Sequence, residues 1–203
     1  MLKNIKWLGH STIKMNNSEK VIYIDQYNIR ETYNDADIIF VTHSHYDHFS
    51  EEDILKVKSN NTTIIITNDL YEKTLSLGFS SDKIIVVDPN KTYNIKELEF
   101  ETIPAYNNNK SFHPKENNWV GYILRYNDKT YYIPGDTDIT EENKKVKCDI
   151  AFIPVGGTYT TDYKEGAELA RIIKPQIAIP IHYGSIVGTK EDGEKFIELI
   201  EII

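Results

Sequence analysis

Residues 40–50, "FVTHSHYDHFS", place His43, His45, Asp47 and His48 within six consecutive positions behind an apolar run. His43 and His45 are two apart, so on an extended segment their imidazoles point the same way and could share one metal ion. Asp47 and His48 continue the loop and could serve a second ion nearby. Neutral imidazole suits zinc, iron or nickel, and carboxylates widen the choice towards manganese.

Two later positions repeat the pattern. "YYIPG" runs into Asp136 and "QIAIPI" into His182, as "DIIFVT" runs into His43. A ligand at a strand end is held on a rigid sheet while facing an open edge. Singly, each has a plain alternative: Gly-Asp closes many turns, and a histidine after an apolar strand is more often a satisfied structural residue. Beside the histidine loop both read as ligands, and Asp136 could bridge two ions.

The elements that must carry these residues are legible in outline. "IKWLG", "STIKM", "KVIYID", "DIIFVT" and "TTIIIT" are β-branched and aromatic runs separated by Asn, Asp, Gly and Ser clusters, the pattern of strands. "SEEDILKVK" offers Ser50 as N-cap with Asp53 in a capping-box position, and "NDLYEKTLSLG" starts on Asn68 and stops at Gly78, so both predict short helices. "KIIVVD", "KTYNI", "LEFETI", "WVGYILRY" and "TYYIPGD" predict more strands, with a hairpin turn at 127–129. "DIAFIPV", a helix near Asp162 to Ile173, "QIAIPI" and a helix near Glu191 to Ile200 complete the chain. Many strands with helices segregated after them predict an α/β protein, a four-layer αββα sandwich in one domain over residues 1–203.

Bulk properties restrict the function. The chain has 203 residues, 40% hydrophobic, with a net charge of -8. That charge disfavours nucleic acid and anionic membrane as partners and favours a small-molecule substrate, although a local metal site could still bind one phosphate. Cys148 is the one cysteine, so no internal disulfide forms and a cytoplasmic location is expected; it reads as a small buried apolar residue. "MLKNIKWLGHSTIKM" lacks a sustained apolar stretch, so neither a standard export signal nor a membrane span is expected. Nothing in the sequence gives the oligomeric state.

His43, His45, Asp47 and His48 match the H-x-H-x-D-H signature of the metallo-β-lactamase superfamily, and Asp136 in "GDTD" and His182 in "IPIHYG" resemble its later motifs across essentially the whole chain. "WLGHST" at 7–12 is similar to the opening of its ascorbate-6-phosphate lactonase-like and N-acyl-phosphatidylethanolamine phospholipase D-like branch. The resemblance implies His43 and His45 on one ion, Asp47, His48 and His182 on a second, and Asp136 bridging both. It implies one or two divalent ions, Zn2+ first, with Mn2+ or Ni2+ as alternatives. One motif departs: those relatives carry a histidine in "P-A-x-H", and this chain has "PAYN", with Asn107 in its place.

His113, in "SFHPK", could replace that ligand, donate a proton, contact substrate, or be an ordinary loop histidine. His10 reads as ordering the ligands from behind or as plainly structural. The amides of Gly156, Gly157 and Thr158 in "PVGGTYT" could face an oxyanion or phosphate, or the glycines could serve a strand-to-helix connection. Tyr106, Tyr159 and Tyr183 flank these loops. The expected function is a metal-dependent hydrolase whose metal-activated water attacks a lactone, amide, thioester or phosphodiester, with Asp47, Asp136 and His113 as catalytic residues. The alternatives are a metal-stabilised binding or sensing protein and, on the same fold, a diiron redox protein.

Overall fold

β-Branched runs cut by Asn, Asp and Gly become strands in the computed structural model, which describes residues 3–201. The chain divides into two units, one ending at Val87 and the other beginning at Asp88. Each is built on one six-stranded sheet. Met1 and Leu2, part of the expected first segment, and Ile202 and Ile203, at the end of the expected domain, lie outside the described residues.

In the first unit β1 (Ile5–Gly9), β2 (Thr12–Asn16), β3 (Val21–Ile24), β4 (Ala36–Phe40), β5 (Lys58–Thr67) and β6 (Ile84–Val87) lie side by side in that order. The first three pair antiparallel and β3 to β6 pair parallel. Successive side chains of a strand point to opposite faces, and Ile38, Ile39 and Phe40 are all buried, so β4 is covered on both sides. Ile54 and Val57 of α1 (Glu51–Val57) join Ile39, Val41, Ile64 and Ile66 in one apolar cluster. Each such burial stabilises by about 1.5–3 kcal/mol, which fixes the ends of β3 and β4.

The differences from the expected elements have local causes. Ser50 caps α1 by accepting from the Asp53 amide, but Asp53 does not complete a capping box. Its carboxylate turns away to accept from the amides of Asn28 at 2.7 Å and Ile29 at 3.0 Å and from Lys56 Nζ at 2.8 Å. β5 starts at Lys58 rather than Thr62, because Thr62 Oγ1 donates to the Ala36 carbonyl at 2.6 Å across an irregular register. The helix expected from Asn68 is a 3-10 turn, Asn68–Leu70, followed by α2 (Tyr71–Ser76), and it ends at Gly78 in left-handed backbone.

In the second unit β7 (Thr92–Ile95), β8 (Leu98–Pro104), β9 (Val120–Tyr126) and β10 (Lys129–Ile133) form an antiparallel meander. β11 (Ile150–Pro154) and β12 (Ile177–Ile181) add on in parallel. The predicted hairpin turn is a two-residue loop, with Asn127 and Asp128 both at positive φ, between paired Tyr126 and Lys129. That is the twist-matched turn, and Asn and Asp tolerate it best after glycine. α3 (Tyr163–Ile173) opens with a full capping box between Asp162 and Glu165. It packs on β11 and on α4 (Lys190–Glu201), which packs on β12.

This topology decides which loops meet within each unit. β8 pairs antiparallel with β9 and β9 with β10, so the loops after Pro104 and Ile133 leave the same end of the sheet. β11 and β12 run parallel to β10, so their exits leave there too. In the first sheet β3 and β4 run parallel, so their exits share one end with the β1–β2 turn. No helix among the described residues is long and apolar enough to cross a membrane.

Candidate metal centre

The first unit gathers His10, Asp25, Thr42, His43, His45, Asp47 and His48 at its loop-bearing end. Asp25 follows β3 directly, in left-handed backbone and 1% exposed. Its Oδ1 accepts from the Thr42 amide at 2.9 Å, and its Oδ2 accepts from Thr42 Oγ1 at 2.8 Å and lies 2.8 Å from His48 Nδ1. A carboxylate only accepts, so His48 carries its proton on Nδ1 and presents the Nε2 lone pair. That Nε2 lies 3.6 Å from Asp47 Oδ2.

The same chain of bonds sets His43. The Thr42 hydroxyl gives its hydrogen to Asp25, so at 3.0 Å from His43 Nδ1 it accepts, and His43 presents its lone pair at Nε2. His43 Nε2 lies 3.2 Å from His45 Nδ1. With bonds of 2.0–2.1 Å, neighbouring ligands of a tetrahedral zinc sit about 3.3 Å apart, so this pair is spaced to share an ion. His10, also in left-handed backbone, lies with Nε2 2.9 Å from Asp47 Oδ2 and orients that carboxylate. The Trp7 indole donates to the His10 carbonyl at 2.8 Å and braces the turn. Tyr46, in the middle of the loop, is 64% exposed and edge-packed on Tyr27.

The second unit brings together Asn107, His113, Asp136 and His182 at its own loop-bearing end. Asp136 Oδ2 lies 3.2 Å from His113 Nε2 and 3.1 Å from His182 Nε2, and all three side chains are buried. His182 directly follows β12 in left-handed backbone, a strain a non-glycine residue accepts where the surroundings impose it. Gly156 lies against it: a Cβ there would stand 2.2 Å from the His182 carbonyl oxygen. Gly157 and Thr158 use their amides inside the loop, on the carbonyls of Thr161 at 3.1 Å and Gly156 at 3.2 Å. Close approach and turn geometry are thus both features of this segment.

The loop 105–117 is fixed at several points. Asn107 Nδ2 donates to the Tyr159 carbonyl at 2.9 Å and to Asp138 Oδ1 at 3.2 Å, and its Oδ1 lies 3.0 Å from His113 Nδ1. Asp138 also accepts from the Asn108 amide at 2.8 Å and pairs with Lys110. Lys115 bonds Glu142 at 2.6 Å and lies over the Tyr106 ring. That ammonium holds the Glu142 carboxyl down to about 2, against burial. Burial, with the Glu142 carboxylate, pushes the Tyr106 phenol up. Tyr159 packs edge-on against half-exposed Phe112, and Tyr183 lies on Gly193 of α4.

Sequence reasoning missed Asp25 and Thr42. A signal was present: "KVIYID" runs an apolar strand straight into an acid, as the strands before His43, Asp136 and His182 do. It also read Asn107 only as a lost ligand, where the structure gives its amide three hydrogen-bonding contacts.

Residues 4–182 match the family described as Beta-lactamase superfamily domain, a span that takes in every residue discussed above up to His182. The chain has the metallo-β-lactamase fold, with its two sheets. A UPF0173 metal-dependent hydrolase of Nanoarchaeum equitans is 31% identical over 202 residues, covering 95% of this chain and 89% of that protein. One from Staphylothermus marinus is 30% identical over 219 residues, with coverage of 97% and 90%. Among solved structures, a protein of Parabacteroides distasonis has a TM-score of 0.82 at 30% identity, over 97% of this chain and 89% of that one. The metallo hydrolase Igni18 of Ignicoccus hospitalis has a TM-score of 0.76 at 20% identity, over 98% and 90%, and shares the fold. The chain belongs to the β-lactamase superfamily, among its UPF0173 metal-dependent hydrolases.

Proposed function

We propose that the protein hydrolyses a small acyl or phosphoryl compound, using divalent ions held by His43, His45, Asp47, His48, Asp136 and His182. The observation that carries this reading is the pair His43 and His45, ring nitrogens 3.2 Å apart with the His43 tautomer fixed from Asp25 through Thr42. The donor chemistry fits: four imidazoles and two carboxylates suit zinc first, then manganese or nickel.

Such an ion supplies Lewis acidity, polarising the scissile carbonyl or phosphoryl oxygen and lowering the pKa of water. The remaining work falls to the chain. Asp47, aimed by His10, or Asp136 orients the attacking water and takes its proton. The proton then passes to the leaving oxygen, nitrogen or sulfur as the bond to it breaks. Buried Asp25 keeps His43 and His48 in the tautomers that present Nε2. The likeness of "WLGHST" to the lactonase-like and phospholipase D-like branch puts lactones and phosphodiesters first as substrates. Acidic net charge and a lone cysteine fit small substrates and a cytoplasmic setting.

Elemental analysis of protein purified without added metal, followed by lactones, thioesters, phosphodiesters and β-lactams assayed with zinc and with manganese, tests the proposal. About one to two equivalents of metal and turnover of one substrate class are expected. Less than about half an equivalent, with no rescue on titration, would sink it. Iron with oxygen consumption would replace it with the redox reading.

A further inference from the structure

We propose that Tyr46, backed by Tyr27, is the surface that receives an apolar acyl group of the substrate. The proposal deepens the hydrolase reading and rests on it. Tyr46 stands between His45 and Asp47, yet its side chain faces outward while His43, Asp47 and His48 are buried. Bonds within the loop fix that difference. The amides of His48 and Phe49 donate to the His45 carbonyl at 3.0 and 2.8 Å, which closes a turn and leaves Tyr46 at its corner.

A single exposed aromatic is ordinary on a protein surface. Here the aromatics converge on one turn. Tyr46 meets Tyr27 edge-on with ring centroids 5.9 Å apart, and Tyr27 meets His10 edge-on at 5.6 Å. Trp7, also exposed, donates its indole N–H to the His10 carbonyl. His10 lies 2.9 Å from Asp47 Oδ2, so the aromatic surface is continuous with a carboxylate proposed to orient the water. Its footing is rigid. The Tyr27 amide donates to Thr12 Oγ1 at 2.9 Å, and Gln26 beside it accepts from the Ser50 amide at 3.1 Å, which ties Tyr27 to both β2 and the end of the metal loop.

This surface favours one class of the proposed substrates. An alkyl or aryl group laid on a tyrosine ring removes apolar area of both from water, and a ring with two side-chain torsions loses little freedom in being covered. A phosphate gains nothing there, because the face of an aromatic ring carries partial negative charge. The rings therefore select a lactone, amide or thioester with an apolar chain over a small phosphodiester.

Acetate and hexanoate, acids of the kind that acyl hydrolysis releases, are the probes. They are titrated into the zinc-loaded full chain with its tyrosine rings labelled with carbon-13. Hexanoate should bind roughly tenfold more tightly, because its four further methylenes are partly covered, and its chain should show Overhauser contacts to the Tyr46 ring. Tyr46→Ala should keep its zinc and bring the ratio down to about twofold or less, whereas Tyr46→Phe should preserve it. If Tyr46→Ala does not fold, the Overhauser contacts of the wild type decide. Equal affinities, no binding of either acid, a preference that survives Tyr46→Ala, or chain contacts that miss Tyr46 overturn the proposal. So does self-association that Tyr46→Ala abolishes, where the wild type shows no preference; that result assigns the ring to a second copy of the chain. Wild-type protein that binds no zinc overturns the hydrolase reading with it; zinc binding without the preference overturns this proposal alone.

Discussion

Asp25 grips His48 from behind: Oδ2 lies 2.8 Å from Nδ1, both side chains are at most 2% exposed, and the same oxygen receives the Thr42 hydroxyl that orients His43. One carboxylate thus fixes two histidines. Asp25→Asn keeps the shape but puts a donor or a weaker acceptor against His48. Zinc affinity measured by competition with a chromophoric chelator should fall roughly 10–100-fold. Unchanged affinity would show that Asp25 only fills space.

His48→Ala removes a proposed ligand from the first unit. Metal content and hydrolysis should fall together, with the far-ultraviolet circular dichroism of the fold retained. Full activity in this variant would refute the assignment of His48 as a ligand.

Gly156→Ala tests the close approach to His182. The added Cβ would stand 2.2 Å from the His182 carbonyl oxygen and 2.7 Å from Val187 Cγ2. Overpacking of this kind costs about 1–3 kcal/mol, read from urea denaturation. Zinc affinity should fall as well, because His182 is displaced; stability equal to wild type would contradict the packing described.

The Lys115–Glu142 pair gives a pH signature. The Glu142 carboxyl lies at about 2 in the folded protein, below its ordinary value of 4.5, chiefly through the Lys115 hydrogen bond acting against burial. A lowered pKa contributes stability above the unfolded value, so this contribution is complete above about pH 4.5 and is lost as pH falls towards 2. The pair is partly solvated, which keeps its worth below about 1 kcal/mol. Glu142→Gln should be destabilised by that amount in urea titrations at pH 7 and match wild type near pH 2. An equal deficit at both pH values would rule out the ion pair as its origin.

Cys148 should be slow to react. Burial, aided by the Asp149 charge, pushes its thiol up to about 12, so roughly one in 10,000 is thiolate at pH 8. Iodoacetamide should label the native protein on the order of 1,000-fold more slowly than the unfolded chain, timed by mass spectrometry. Labelling at the unfolded rate would contradict this environment.

Much of the fold was legible because its signals are local. β-Branched runs between turn residues predicted the strands, Asp162 and Ser50 marked helix starts, and Asn127–Asp128 marked a hairpin. Asp53 was misread because its competing partners, the amides of Asn28 and Ile29, lie far back in the chain. The length of β5 was misread because Thr62 and Ser59 find Ala36 only after the strands pair.

The candidate ligands divide along the same line. His43, His45, Asp47 and His48 declare themselves in sequence, because covalent spacing along one loop already restricts where their side chains can point. Asp136 and His182 were readable as strand ends, a pattern of the same kind. Asp25 as the support of two histidines, and Asn107 as the support of His113 rather than a gap, became visible only in the tertiary structure. Asn107 and His113 are only six residues apart, but what holds them joins distant segments: Asp25 meets Thr42 across 17 residues and Asn107 meets Asp138 across 31. Strand order, not spacing, places them: parallel and antiparallel pairing decide which loops leave the same end of a sheet, and hydrogen-bond direction then decides which nitrogen of each ring presents its lone pair.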